Sequence, residues 1–104
     1  MPFPMDAYAA VMGEARSIVE ERDLTGRNDV IPLLDKFIHG HQDVIYEIHE
    51  RVCRIRGAEK TGNLIKMRED AIDLVNEAAF LVMLLERTSA AARAASAVRA
   101  SAPA

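Results

Sequence analysis

Four carboxylates form two pairs of equal spacing, Glu47-Ile-His-Glu50 and Asp70-Ala-Ile-Asp73, separated by 19 residues. A step of three puts both members of a pair on one side of an α-helix. If the two helices fold back with these pairs facing, four negative charges gather in a small volume, which is costly unless a cation lies between them. Hard oxygen donors of this kind suit Mg²⁺ or Mn²⁺, and magnesium is typically held by a few carboxylates together with substrate phosphates. The corresponding chemistry is metal-assisted hydrolysis of a phosphate ester or phosphoanhydride.

The two pairs stand in different surroundings. Asp43, Glu47, Glu50 and Arg54 make one polar line, which a solvated ladder also explains, with Glu50 paired to Arg54 for a few tenths of a kcal/mol. Glu69 and Asp70 lie near the start of the following helix, where acids meet the positive end of the macrodipole. That account does not reach Asp73, which is flanked by Ile72, Leu74 and Val75 and followed on its own face by Asn76 and Phe80. Glu77 reads as an interface or surface acid.

The elements that must position these residues are helical. The 104 residues are 50% apolar and 28% charged, the balance of a folded protein with one modest core. Aromatics are 5%, and no alternating run rich in Val, Thr and Tyr marks a strand, so the expected class is all-α. Asp6 caps a first helix that stops between Asp23 and Arg27. Asn28 or Asp29 caps a second, with Pro32 in its first turn. Leu34, Ile38, His41, Ile45, Ile48, Val52 and Ile55 then recur at steps of four and three, a seam that asks for a facing helix, and Leu33, Phe37 and Val44 widen it to one side. Gly57 ends this helix, Thr61 or Asn63 caps a third from Leu64 to Glu86, and the two long helices, about 35 to 40 Å each, form a hairpin.

The apolar positions after Asp73 cover nearly the whole circumference of the third helix. The expected architecture is therefore a helical hairpin plus a shorter N-terminal helix, completed into a multi-helix bundle by self-association. Residues 1–87 form one domain, and residues 88–104, rich in Ala, Ser and Arg, read as a frayed helix and a disordered tail.

The paired motifs, with Leu-Val-Asn76 and a long apolar run behind the second, resemble the MazG-like all-α nucleotide pyrophosphohydrolases, whose signature is Glu-Glu-x-x-Glu on one helix and Glu-x-x-Asp on the next. The resemblance spans about residues 33–87. It implies a homodimer or homotetramer, Mg²⁺ (or Mn²⁺) held by Glu47, Glu50, Asp70 and Asp73, and a metal-activated water that splits a nucleoside triphosphate into monophosphate and pyrophosphate. Glu50 is the candidate catalytic residue that orients this water; Arg54, Lys60, Lys66 and Asn76 are candidates for substrate binding. Tyr46 stands where the family's first acid would be, and Asp70 replaces a longer glutamate. The alternative from the same fold is a non-catalytic helical oligomerisation or binding module, in which the acids pair with Arg or Lys.

Other side chains point elsewhere less strongly. His39 and His41 project about 200° apart on a helix and do not chelate one ion together. Cys53 lies in an apolar stripe and reads as a small core residue. A net charge of −3 disfavours a nucleic-acid partner, and the longest wholly apolar run is too short for a bilayer, so the expected location is cytoplasmic.

Overall fold

The computed structural model describes residues 2–24, 34–88, 94 and 97–100. Pro4 precedes the first helix, α1 (Met5–Leu24), and its carbonyl accepts from the Tyr8 N–H at 3.1 Å. The missing proline N–H costs nothing at a helix start. Asp6 lies inside the first turn rather than at the cap, where it still complements the macrodipole. Of the apolar positions on α1, Ala15 is buried and Ile18 and Val19 half-buried, while Ala7, Ala10 and Val11 are exposed.

The second helix, α2 (His41–Thr61), starts later than its heptad pattern suggests. Asn28, Asp29, Pro32 and Leu33 lie outside the described residues, and residues 34–40 form turns that end at Gly40, with φ of 67°. The Asp43 carboxylate accepts from the His39 N–H at 2.9 Å, and the Gly40 N–H donates to the Phe37 carbonyl at 2.9 Å. Leu34 and Phe37 still reach the core from these turns. Core contacts of this segment therefore begin in the turns, before the helix does.

At the other end α2 runs through Gly57 without a break. Gly62 adopts the left-handed conformation with φ of 71°. Its N–H bonds the Glu59 carbonyl at 3.1 Å, and the Asn63 N–H bonds the Ala58 carbonyl at 2.9 Å. This pair of bonds is the Schellman closure of a helix. The Asn63 side chain then accepts from the Lys66 N–H at 3.1 Å and caps α3 (Leu64–Thr88). Thr61 does not cap, since its hydroxyl donates to the Ala58 carbonyl. The hairpin thus turns through Gly62 and Asn63 alone. By length, α3 with 25 residues spans about 37 Å and α2 with 21 about 31 Å, so α2 falls short of the expected 35 Å, while α1 with 20 is nearly as long as α2.

The hairpin buries or half-buries Leu34, His41, Ile48 and Ile55 of the expected seam and Phe37 and Val44 of the line beside it, while the third row of that stripe turns outward. Val44, Ile48, Arg51, Ile55 and Ala58, at steps of four, three, four and three, form one buried or half-buried line on α2, and His41, Asp43 and Glu47 are half-buried beside it. Phe37, Val44 and Leu84 form the core, with Leu34, Ile48, Phe80 and Leu81 packed against it. Ile38, Ile45 and Val52 of the expected seam are 81%, 51% and 39% exposed. Cys53 is likewise exposed, its Sγ 3.8 Å from His49 Nε2, because that side of α2 turns away from α3. On α3, Ile72 and Asn76 are buried, and the Asn76 amide donates to the Ala15 carbonyl of α1 at 2.9 Å. Arg68 adds an exposed ion pair to Glu14 of α1.

The architecture is all-α, with a helical hairpin and α1 packed against α3. No strand occurs among the described residues, and no helix there is long and apolar enough to cross a membrane. Residues 97–100 are helical, with Arg99 bonded to Glu86; most of the expected tail lies outside the described residues.

Two glycines of the hairpin should respond oppositely to alanine. Gly57 is helical with open space beside it, so Gly57→Ala should raise stability by about 0.5–1 kcal/mol. Gly62→Ala forces a Cβ into positive φ and should lower it by about 1 kcal/mol. Urea midpoints of the two variants against wild type check both signs.

Candidate functional site

Asp70, Asp73 and Glu77 follow one another at steps of three and four on α3, so they share a side of a helix that otherwise buries apolar surface. That side meets α2 where Arg51 stands. The guanidinium Nη1 donates to Asp70 Oδ1 at 2.9 Å and Nε to Glu77 Oε1 at 2.8 Å, while Asp73 Oδ2 lies 3.4 Å from Nη1. A planar fork reaches two carboxylates from one position, which a point charge on a flexible stem does not. Lys66 approaches Asp70 at 3.5 Å and Arg22 approaches Asp73 at 3.8 Å, both from wetter positions.

Three carboxylates thus face three cations, of which only Arg51 is largely withdrawn from solvent. The Asp70 side chain is fully buried and that of Glu77 nearly so, yet Asp70 Oδ2 and Glu77 Oε2 have no hydrogen-bond partner within the described chain. Buried carboxylate oxygens are rarely left in this state. Burial pushes the Glu77 carboxyl above its ordinary pKa, opposed by the hydrogen bond and charge of Arg51 and reinforced by the charges of Glu47 and Asp73. For Arg51, burial works against the charged form, but the bonds to Glu77 and Asp70 and the field of Glu77 and Asp73 outweigh it and hold its pKa raised.

The cluster opens onto a cavity of about 390 Å³. Glu47, Glu50, Arg51 and Glu77 line it, with Lys36, Tyr46 and Arg54. A second cavity of about 420 Å³ lies between α1 and α3, with Ile18 and Ile72 among its lining and Asp73, Glu14, Arg68 and Glu69 around them. Asp73 therefore borders one cavity and contacts the cation of the other.

The residues marked by spacing divide between several places. Glu47 and Glu50 line the first cavity; Asp70 and Asp73 hold Arg51 beside it. Arg51 stands between the two pairs, and among the described residues no three His, Cys, Asp or Glu side chains are set to hold a metal ion. Arg54 lines the cavity, and Lys66 reaches Asp70. Lys60 is exposed on the last turn of α2 and does not line the cavity, and Asn76 joins α3 to α1.

Arg51 and Glu77 are the two central residues that paired spacing leaves out. A signal for both was present. Three acids at steps of three and four in an apolar helix require a facing cation, and Arg51 shares a side of α2 with Glu47, one turn earlier.

The chain matches no family model, no curated protein and no solved structure.

The raised Glu77 pKa makes a signed prediction. In the folded chain Glu77 binds its proton more tightly than in the unfolded chain, whose value is near the ordinary 4.5. Its contribution to stability is therefore fully present below that value and lost as pH rises through the folded pKa. Thermal midpoints of wild type minus those of Glu77→Gln should fall as pH rises above about 4.5. A difference that rises over this range would contradict the assignment.

Proposed function

We propose that this chain is a Mg²⁺- or Mn²⁺-dependent nucleotide pyrophosphohydrolase, acting on a nucleoside triphosphate to give the monophosphate and pyrophosphate. The observation that carries this reading is the pair of buried carboxylate oxygens without partners, Asp70 Oδ2 and Glu77 Oε2, beside a cavity lined by Glu47 and Glu50. Unpartnered hard oxygens on buried carboxylates suit a divalent cation. Glu47, Glu50, Asp70 and Asp73, with Glu77, are the residues that would hold it, and since no three of them are set together around one point, the reading requires them to close on the ion. Bound there, such an ion supplies charge neutralisation for phosphate oxygens and an acidified water.

The remaining roles fall to the chain's own groups. Glu50, exposed at the cavity wall, would orient a water molecule by accepting a hydrogen bond from it. Arg54 and Lys36 line the same cavity and offer donors to phosphate oxygens. Lys66 extends that positive side near Asp70. The motif spacing that resembles the MazG-like enzymes supports the same reading, with Glu77 added to its ligand set. Self-association into a homodimer or homotetramer belongs to it as well, supported by the exposed row Ile38, Ile45 and Val52. The proposed location is cytoplasmic.

One observation favours the second reading, a non-catalytic helical module. Arg51 bonds Asp70 and Glu77 directly and approaches Asp73, which gives the acids a structural partner. The two readings part on cation binding. Calorimetric titration with Mn²⁺ should show binding to wild type, and Asp70→Asn should weaken it by about 100-fold. Pyrophosphate should be released from at least one member of a panel of canonical and modified nucleotides. No heat and no pyrophosphate would leave only the helical module.

A further inference from the structure

Asp73 stands between two cavities of different character. The cavity beside Arg51 is walled mostly by charged side chains, and its Tyr46 ring is 65% exposed, an open platform rather than an enclosed floor. The cavity between α1 and α3 has an apolar floor, with Ile72 buried and Ile18 half-buried. Around that floor stand Glu14, Glu69 and Asp73, with Arg68. Arg68 is taken up by Glu14 at 2.8 Å, whereas Glu69 is exposed and makes no ion pair among the described residues. A rim of carboxylates repels phosphate. A flat ring that carries N–H donors suits both floor and rim, since apolar walls with a few orienting polar groups are the usual make-up of a small-molecule pocket.

The two cavities adjoin. Asp73 lines the second and lies 3.4 Å from Arg51 of the first, and Arg22 of α1 approaches the same carboxylate at 3.8 Å. We infer that the α1–α3 cavity is the base pocket of the nucleotide: the base lies against Ile18 and Ile72 with its amino group donating to Glu69, and the phosphates lie past Asp73 beside Lys36 and Arg54. This rests on the nucleotide reading and adds to it a class of base and a role for α1, which is tied to α3 by Asn76 and Arg68 and supplies one wall. Cytosine, adenine and guanine carry an exocyclic amino group for which a carboxylate is a matched acceptor. Uracil and thymine present carbonyl oxygens instead, which a carboxylate repels. A site that accepts from a donor rejects an analogue lacking it more strongly than an apolar pocket distinguishes rings of similar shape.

The test uses the full chain with ¹³C-labelled isoleucine methyls. The probes are the α,β-methylene analogues of the cytosine, adenine, guanine and uracil triphosphates, added in Mg²⁺, which are not cleaved between the α and β phosphates. At least one amino-bearing analogue should move the Ile18 and Ile72 methyls through the ring current of its base, with Ile48 and Ile55 of the hairpin seam unmoved. The uracil analogue should bind about tenfold more weakly or worse. Glu69→Gln, an exposed substitution that leaves the fold intact, exchanges one acceptor for a donor and should bring the two analogues within about threefold.

Binding that leaves the Ile18 and Ile72 methyls unmoved would place the base elsewhere, on Tyr46 if its ring resonances shift; this would overturn the inference and leave the nucleotide reading in place. Equal binding of the uracil analogue, or an unchanged preference in Glu69→Gln, would remove Glu69 as the reader of the base and overturn it too. Binding by none of the analogues would overturn the inference and the nucleotide reading together.

Discussion

The hairpin is organised around a single guanidinium. Arg51 reaches Asp70 and Glu77 with separate N–H groups and lies within 3.4 Å of Asp73, so one side chain of α2 fixes the register of two turns of α3. Burying these acids without it would cost several kcal/mol for each uncompensated charge. The apolar contacts are modest by comparison: Phe37, Val44 and Leu84 are the three buried members of the main cluster, and they lie toward the other end of the α2 seam. The polar cluster and the apolar cluster therefore divide the interface between them. Apolar packing drives association of the helices, and the fork specifies which faces meet.

A charged cluster is a poor source of net stability, since well-packed apolar residues in its place are often as stable or more so. Its presence in a small helical protein therefore asks for a reason beyond folding. The chemistry supplies one. Two carboxylate oxygens stay buried without partners, the Glu77 carboxyl is pushed up by burial, and an open cavity with acids and bases on its walls adjoins both. Perturbed titratable groups beside a cavity occur both at functional sites and in structural ion-pair networks, and the proposed function takes the first reading. Here the perturbation, the cavity and the motif spacing coincide on one side of one hairpin.

Much of this was legible in the sequence, and the parts that were not have physical causes. Composition and the absence of alternating runs give the helical class. Asn63 was legible as the cap of α3, but the end expected at Gly57 falls at Gly62, because a helix runs through one glycine and closes where the next takes a positive φ. The start of α2 was not legible. Apolar spacing carries on through residues 34–40 as if the helix did, while Gly40 takes a positive φ that interrupts the backbone. One row of the seam was misplaced, although Phe37, Val44, Ile48 and Ile55 do face inward. Counting apolar residues puts Ile38, Ile45 and Val52 inward, but the acids of α3 need a facing cation, and Arg51 enters the interface at the expense of that row. For the site, paired spacing found Glu47, Glu50, Asp70 and Asp73 and missed Glu77, whose burial depends on the position of Arg51.

The central claim is that Arg51 and Glu77 are energetically one unit within the seam. A double-mutant cycle with Arg51→Met, Glu77→Gln and the combined variant, read by denaturant unfolding, measures this coupling with no assumption about metal or substrate. The account predicts strong non-additivity, with the second substitution recovering about 2 kcal/mol or more of the loss caused by the first. Additive losses, with a coupling within about 0.5 kcal/mol of zero, would contradict it.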